Sequence, residues 1–155
     1  MKRIITLTLL ITVLSTLSLG QKATPKHPVE NFFMSGISAF NAHDLDGFMK
    51  QFDKKIEMYT PTGWLRGHKS VRERFAQTFK QFPNVRMEIE DLRVREVVPG
   101  TAVTDFKWRV FPMGQGPAFH GVGSGVYILR KGRWSEVLEH ETVERVDEGL
   151  STGAR

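Results

Sequence analysis

The sequence contains no cysteine, which excludes disulfide bonds, thiol catalysis and cysteine-ligated metal sites. It also lacks internal repeats, low-complexity segments and long runs of one charge. Basic and acidic residues are interspersed, as in residues 71–74 and 93–96, so the formal net charge of +5 does not form a basic patch. We therefore expect no nucleic-acid partner. At 155 residues with 40% hydrophobic composition, the chain is long enough for one globular domain.

Only one long apolar run is present, at residues 4–19, and it is too short for the roughly 20 residues that span a bilayer. It follows the basic pair Lys2 and Arg3 and ends in the small residues 18–20. This order is typical of a secretory signal peptide, predicted at residues 1–20, with a retained N-terminal anchor as the alternative. We expect a secreted or periplasmic protein with no membrane attachment after cleavage, and a flexible lead-in at residues 21–28.

Three helices are predicted in the first half of the chain. From Val29 to Phe40, apolar residues recur at intervals of three and four. Asp44 is suited to cap a second helix, whose apolar stripe runs from Leu45 to Phe52. A third helix should begin after Gly67, and a short strand over residues 56–59 with a turn at residues 60–63 should separate the last two.

Long strands follow the helices. The apolar parity changes within residues 85–98, which predicts a bulge near Asp91. A second strand covers residues 101–111, and residues 119–130 and 133–143 should form a hairpin closed by Lys131 and Gly132. The fold class is therefore α+β, with a domain over residues 29–146 and a frayed tail at residues 147–155.

The hairpin register places the pair Tyr127 and Glu136 opposite each other. Continued without interruption, it also sets Gly123 opposite His140, and His140 then points inward together with Leu138. Glycines at residues 121, 123 and 125 mark a strongly curved region. That curvature either leaves room for a ligand or only lets the sheet wrap around the first helix.

Three segments, residues 40–48, 65–71 and 132–142, resemble the SnoaL-like group of the nuclear transport factor 2-like superfamily. The resemblance covers residues 29–143. It implies a cone-shaped, curved antiparallel or mixed sheet wrapped around three N-terminal helices, a deep apolar pocket and a homodimer formed through the sheet.

This superfamily includes isomerases, cyclases, dehydratases and non-enzymatic binders, so the fold does not settle the function. The ketosteroid isomerases among them carry a base before the proline of a strand-end turn, where this chain has Thr60. Their hydrogen-bond-donating tyrosine falls near Gly36. Neither residue can take the corresponding role, so steroid-isomerase chemistry is not expected.

His140 is the predicted catalytic residue, because an inward-facing imidazole can act as acid or base near neutral pH. Asp105 is the candidate to orient it. The alternative is a histidine that only stabilises the wall of the cone. A metal site built from His120, His140 and a glutamate is disfavoured by the predicted opposite orientation of the two histidines, and we expect no metal and no cofactor.

A second set of residues is predicted to contact the ligand through apolar area. The set comprises Phe40, Tyr59, Trp64, Phe75, Phe79, Trp108 and Leu138. Side chains of this type are also ordinary core residues, except that Trp64 lies in a turn. The hypothesis is a domain that binds a small apolar or aromatic molecule, with proton transfer as its reaction. The alternative is a non-catalytic homodimeric binding or assembly module.

Overall fold

The computed structural model describes residues 26–149. The predicted signal peptide, most of the lead-in and residues 150–155 lie outside the described residues. Three helices precede a run of long strands. The elements are α1 (Pro28–Asn41), α2 (Leu45–Met49), β1 (Phe52–Thr60), β2 (Gly63–Arg66), α3 (Gly67–Gln81), β3 (Val85–Val98), β4 (Thr101–Pro112), β5 (Ala118–Arg130) and β6 (Arg133–Asp147).

All six strands form one curved, unclosed sheet in the order β2-β1-β6-β5-β4-β3. Only β1 and β6 are parallel, and every other neighbouring pair is antiparallel. The predicted α+β class, with a mixed curved sheet around three helices, is confirmed. None of the helices within residues 26–149 is long and apolar enough to cross a membrane.

The helix boundaries follow from capping. Asp44 accepts a hydrogen bond from the Gly47 amide at 2.8 Å and so caps α2 as predicted. The predicted continuation of α2 to Phe52 is wrong, because the helix ends at Met49 and Phe52 begins β1. Phe52 is buried nevertheless, in a core cluster that also contains Phe40 and Phe75.

Two features of the strands agree with the sequence pattern. The register of β3 shifts between Glu90 and Arg93, and Asp91 has a φ of 52°, so the predicted bulge is confirmed. Lys131 and Gly132 close the β5–β6 hairpin with φ values of 52° and 76°, as a two-residue turn with positive φ requires.

The predicted register of the hairpin holds for only part of its length. Tyr127 does pair with Glu136, but the next pair is Val126 with Leu138, so Val137 is an extra residue in β6. This bulge reverses the predicted orientation of the residues from Leu138 to Val143, and a second shift of register before Arg145 ends the reversal. His140 pairs with Ser124 on the outer face of the sheet, and Glu139 and Glu141 take the inward positions.

Candidate functional site

A cavity of about 320 Å³ lies between the concave face of the sheet and the helices. At one end, here called the α1 end, its wall is formed by Phe33, Ile37, Gln51 and Glu136. At the other, the loop end, Pro61, Thr62, Pro112 and Pro117 contribute. The remaining wall is mostly aromatic and aliphatic, from α3, β3 and β4. An apolar cavity with a few polar groups is the usual form of a small-molecule site.

Three carboxyl groups of β6 face this cavity, from Glu136, Glu139 and Glu141. Glu141 is paired with Arg74, which projects from α3. The Arg74 guanidinium donates to both Glu141 carboxylate oxygens, at 2.6 and 3.2 Å, and also to the Met58 sulfur. A bidentate pair of this kind fixes both side chains. Glu141 is thus held in one position on the cavity wall.

Glu139 has a different environment although it lies only two residues away. Burial raises the pKa of Glu139 well above its ordinary value, and the charges of Glu136 and Glu141 raise it further. Arg74 lowers this pKa, but by less than the burial raises it. A carboxyl group whose pKa is raised can take part in proton transfer on the cavity wall, next to a carboxyl group that is paired with an arginine.

Glu136 lies at the α1 end and is only 2% exposed. Burial raises the pKa of Glu136 to about 8, while the adjacent Tyr127 hydroxyl opposes that rise. Its backbone amide donates to the Gln51 carbonyl at 2.8 Å, which fixes the start of β6 against β1. Glu136 is thus a second ionisable group of the cavity that favours its neutral form near pH 7.

The glycines of β5 make room for neighbouring side chains of the wall. A Cβ on Gly123 would lie 2.5 Å from the Phe106 ring, and one on Gly125 would lie 2.1 Å from Glu136 Oε1. The glycines were predicted either to leave room for a ligand or to let the sheet wrap around the first helix, and neither explanation is complete. The curved region is filled by the Phe106 ring and the Glu136 carboxyl, and these groups in turn line the cavity.

The predicted inward orientation of His140 and Leu138 is wrong. Both residues follow the Val137 bulge at outer-face positions, and neither lines the cavity. His140 is exposed and belongs to a polar surface groove that also contains Asp105. Asp105 is separated from His140 by Ser124 in the register.

The predicted ligand-contacting aromatic residues divide into two groups. Phe40, Phe75 and Trp108 line the cavity, and Phe79 packs against Phe40 with ring centroids 5.0 Å apart. Tyr59 and Trp64 are instead 38% and 44% exposed. Their rings are stacked at 4.8 Å on the outer face.

The outer face carries a continuous row of side chains across all six strands. The pairings join Trp64 to Tyr59, Tyr59 to His140, His140 to Ser124, Ser124 to Asp105 and Asp105 to Arg93. Arg66 lies over the Trp64 ring at 3.5 Å from its centroid. The row is aromatic at one edge of the sheet and charged at the other.

Sequence reasoning missed the four charged residues of the cavity, Arg74, Glu136, Glu139 and Glu141. The signal for Arg74 was present, because a charged residue stands directly before Phe75 within the apolar side of α3. No comparable signal existed for Glu139 and Glu141. In residues 139–142 polar residues occupy both parities, so no hydrophobic alternation reveals which side faces inward.

The profile of the SnoaL-like domain family matches residues 31–137. No curated protein matches the sequence. Among solved structures, an NTF2-like protein of unknown function from Pseudomonas putida superposes with a TM-score of 0.65 at 14% identity, covering 74% of this chain and 82% of that one. An uncharacterised protein with a cystatin-like fold from Caulobacter vibrioides has a TM-score of 0.66 at 16% identity, covering 76% and 87%.

A further similar structure is a hexachlorocyclohexane dehydrochlorinase, LinA-type3, from Novosphingobium barchaimii, with a TM-score of 0.70 at 9% identity, covering 82% of this chain and 91% of that one. At such identities the likeness concerns the fold alone. The three helices, the curved mixed sheet and the profile match lead to one assignment. The chain belongs to the SnoaL-like domain family.

Proposed function

We propose that the protein binds a small apolar or aromatic molecule in the cone cavity and that Glu139 exchanges a proton with it. One observation carries the proposal: a carboxyl group with a raised pKa faces an apolar cavity, next to a carboxylate held by Arg74. A carboxyl whose pKa is brought toward neutrality can both take up and release a proton at working pH. Glu139 thus replaces His140 as the candidate catalytic residue.

The reaction class that fits is proton transfer at carbon, as in an isomerisation or an elimination. Such a reaction needs a base next to an apolar substrate and exclusion of bulk water, and the cavity wall supplies both conditions. The similar fold of a hexachlorocyclohexane dehydrochlorinase supports this class, because dehydrochlorination removes a proton and a chloride. The identity of the substrate does not follow from that likeness.

Hydrogen–deuterium exchange into a carbon acid tests the proposal. 2-Indanone, a compact aromatic ketone with acidic α-hydrogens, is incubated in D2O with the wild type and with Glu139→Gln, and deuterium uptake is followed by NMR. We expect the wild type to accelerate exchange and the variant to lose about 100-fold or more of that acceleration. Glu144→Gln is the matched control, because Glu144 is exposed on the same strand and does not line the cone cavity.

His140→Ala completes this experiment. His140 is exposed on the outer face, so His140→Ala should catalyse deuterium uptake into 2-indanone at the wild-type rate. Equal rates for the wild type and Glu139→Gln would refute the role of Glu139. A loss confined to His140→Ala would restore the prediction made from the sequence.

A second candidate is a non-catalytic homodimer that binds or assembles through the outer face of the sheet. The stacked and exposed pair Tyr59 and Trp64 favours it, because exposed aromatic residues are enriched at interfaces. Sedimentation velocity of the wild type and Trp64→Ala tests this candidate. A dimer that dissociates in the variant supports it, and a monomeric wild type eliminates it.

We also propose that the protein functions outside the cytoplasm. The support is the basic pair and apolar run of residues 1–20. Intact mass spectrometry of protein from the native host should give an N-terminus near Gln21. Finding Met1 or Lys2 on the soluble protein would refute export.

A further inference from the structure

Arg74 is the only basic residue that lines the cone cavity within residues 26–149, although three carboxyl groups face that cavity. It projects from α3, and its side chain is 28% exposed. A guanidinium carries five N–H donors in one plane and keeps its positive charge throughout the pH range of folded proteins. The cavity wall therefore contains one permanent positive charge, whose position relative to the acids affects how they ionise.

The Arg74 guanidinium contacts the neighbours of Glu139 on two strands. Its Nη1 atom donates to Met58 Sδ at 3.1 Å and to Glu141 Oε1 at 3.2 Å. Met58 is the residue opposite Glu139 in the pairing of β1 with β6, and Glu141 is the next inward residue of β6 after Glu139. Arg74 therefore lies beside Glu139, and its charge lowers the pKa of that carboxyl.

The Glu139 and Glu141 side chains also contact each other, through a hydrogen bond between their carboxyl groups. Both Glu141 oxygens already accept from Arg74, at 2.6 and 3.2 Å. Because a carboxylate oxygen has two lone pairs, Glu141 can accept from Arg74 and from Glu139 at once. The hydrogen of this bond therefore belongs to Glu139, and Arg74 and Glu139 both donate to Glu141.

The other groups around Glu139 carry no positive charge. Glu136, on the same strand, raises the pKa of Glu139, and the Glu139 charge in turn raises the pKa of Tyr127 on β5. From β1 the side chain opposite Glu139 is the neutral Met58. Within residues 26–149, Arg74 is thus the one charged group of these surroundings that favours the ionised form of Glu139.

We propose that Arg74 is a positioning residue for proton transfer at Glu139, and that it acts through Glu141. Arg74 fixes the Glu141 carboxyl, and Glu141 then accepts a hydrogen bond from the acid form of Glu139. This inference rests on the proposed function, since it concerns the same proton transfer. It gives the Arg74–Glu141 pair a role in the reaction beyond fixing the cavity wall.

The proton-transfer step breaks one bond and forms another. The C–H bond of the ligand breaks, its electron pair stays on the ligand as an enolate, and the proton forms an O–H bond with Glu139. Glu141 accepts a hydrogen bond from this new hydroxyl, because Arg74 holds its oxygens beside Glu139. The proton then returns to carbon or exchanges with solvent, which in D2O replaces it by deuterium. Of the three side chains, Glu139 alone contacts the reacting atoms.

Titration of the Glu139 carboxyl measures this arrangement without a ligand. Protein isotope-labelled at the glutamate side-chain carboxyl carbon is followed by NMR across the pH range, and the Glu139 signal is identified by its absence from Glu139→Gln. Arg74→Met removes the positive charge, so the Glu139 midpoint should move to higher pH. Glu141→Gln removes a like charge, so the midpoint should move to lower pH. Glu144→Gln, at an exposed position, is the control and should leave the midpoint unchanged.

Deuterium exchange into 2-indanone connects the titration to the reaction. The pH at which the exchange rate reaches half its plateau should move with the Glu139 midpoint, upward in Arg74→Met and downward in Glu141→Gln. Arg74→Lys keeps the charge but loses the bidentate geometry. It should therefore leave the midpoint near the wild-type pH and lower the exchange rate about tenfold. A merely structural role of Arg74 would lower the stability of the variants without moving the pH profile.

Glu139 midpoints that stay constant, or that move in the same direction in Arg74→Met and Glu141→Gln, would overturn the positioning role and leave Glu139 as the candidate catalytic residue. Exchange by Arg74→Lys at the wild-type rate would have the same consequence. A wild type that does not accelerate exchange would overturn the proposed function and the positioning role together. If Arg74→Met does not fold, Glu141→Gln and Arg74→Lys decide, because the first removes only the like charge and the second only the bidentate geometry.

Discussion

Replacing Glu136 with glutamine should make the protein more stable at alkaline pH. The pKa of Glu136 is raised by burial from 4.5 to about 8, so the folded protein keeps a proton that the unfolded chain releases above about pH 4.5. Stability contributed by the neutral acid is therefore complete below pH 4.5 and is lost progressively as the pH rises to about 8. The difference between the two pKa values corresponds to a loss of at most about 5 kcal/mol in the free energy of unfolding. Glutamine has nearly the same shape and never ionises, so it removes this loss.

The same substitution acts on a second group. The Glu136 charge is one of the causes that raise the pKa of Glu139, so the variant also makes ionisation of Glu139 easier. Both effects favour the variant at high pH. The difference between variant and wild type should therefore grow from near zero at about pH 5 to more than about 2 kcal/mol at about pH 9.

Urea denaturation followed by tryptophan fluorescence measures this difference, with wild type, Glu136→Gln and Glu144→Gln compared at constant ionic strength. Glu144 is exposed, so its variant should follow the wild-type curve across the range. Parallel pH dependences for wild type and Glu136→Gln would refute the reasoning. They would mean that Glu136 is ionised in the folded protein at neutral pH.

Two substitutions and one deletion further test the wall of the cavity. Arg74→Met removes the bidentate partner of Glu141, whose side chain is only 11% exposed. The free energy of unfolding, measured by urea denaturation at neutral pH, should fall by about 3 kcal/mol. Adding Glu141→Gln to the same chain should restore part of this loss. Gly125→Ala places a Cβ against Glu136 Oε1 and should cost about 1 to 3 kcal/mol, measured as a lower melting temperature. Deleting Val137 removes the extra residue of β6 but keeps the pairs Tyr127–Glu136 and Val126–Leu138, so Glu139 should stay inward and deuterium exchange into 2-indanone should persist where circular dichroism shows a folded protein.

The order and type of the three helices, of β1 and of the four long strands were predictable because each leaves a local signal, whereas the short strand β2, which contains Trp64, was not predicted. Asp44 marks a helix start by its capping side chain, and the parity change around Asp91 marks a bulge because apolar residues stand on both sides of it. Lys131 and Gly132 supply the positive φ values of a two-residue turn. Each of these features is determined by residues close to it in the sequence, so the sequence pattern alone predicts it.

The composition of the site was not predictable for a physical reason. The bulge at Val137 lies between Glu136 and Leu138, and residues 139–142 after it are all polar, so no alternation of apolar residues shows which of them face inward. Its position is fixed by contacts distant in sequence, including the hydrogen bond from the Glu136 amide to the Gln51 carbonyl. One inserted residue moved His140 to the surface and brought Glu139 into the cavity.

The charges that face the cavity explain why a proton is available there. Glu136, Glu139 and Glu141 face the cavity with Arg74 as the one positive partner that Glu141 binds. Ionising all three would bury two unpaired carboxylates, which is far more costly than retaining two protons. Burial thus raises the pKa values of Glu136 and Glu139 and favours their neutral forms. The burial that lowers the stability of the fold at high pH is the same burial that keeps Glu139 able to give and take a proton, so alkaline destabilisation and proton-transfer chemistry have one cause.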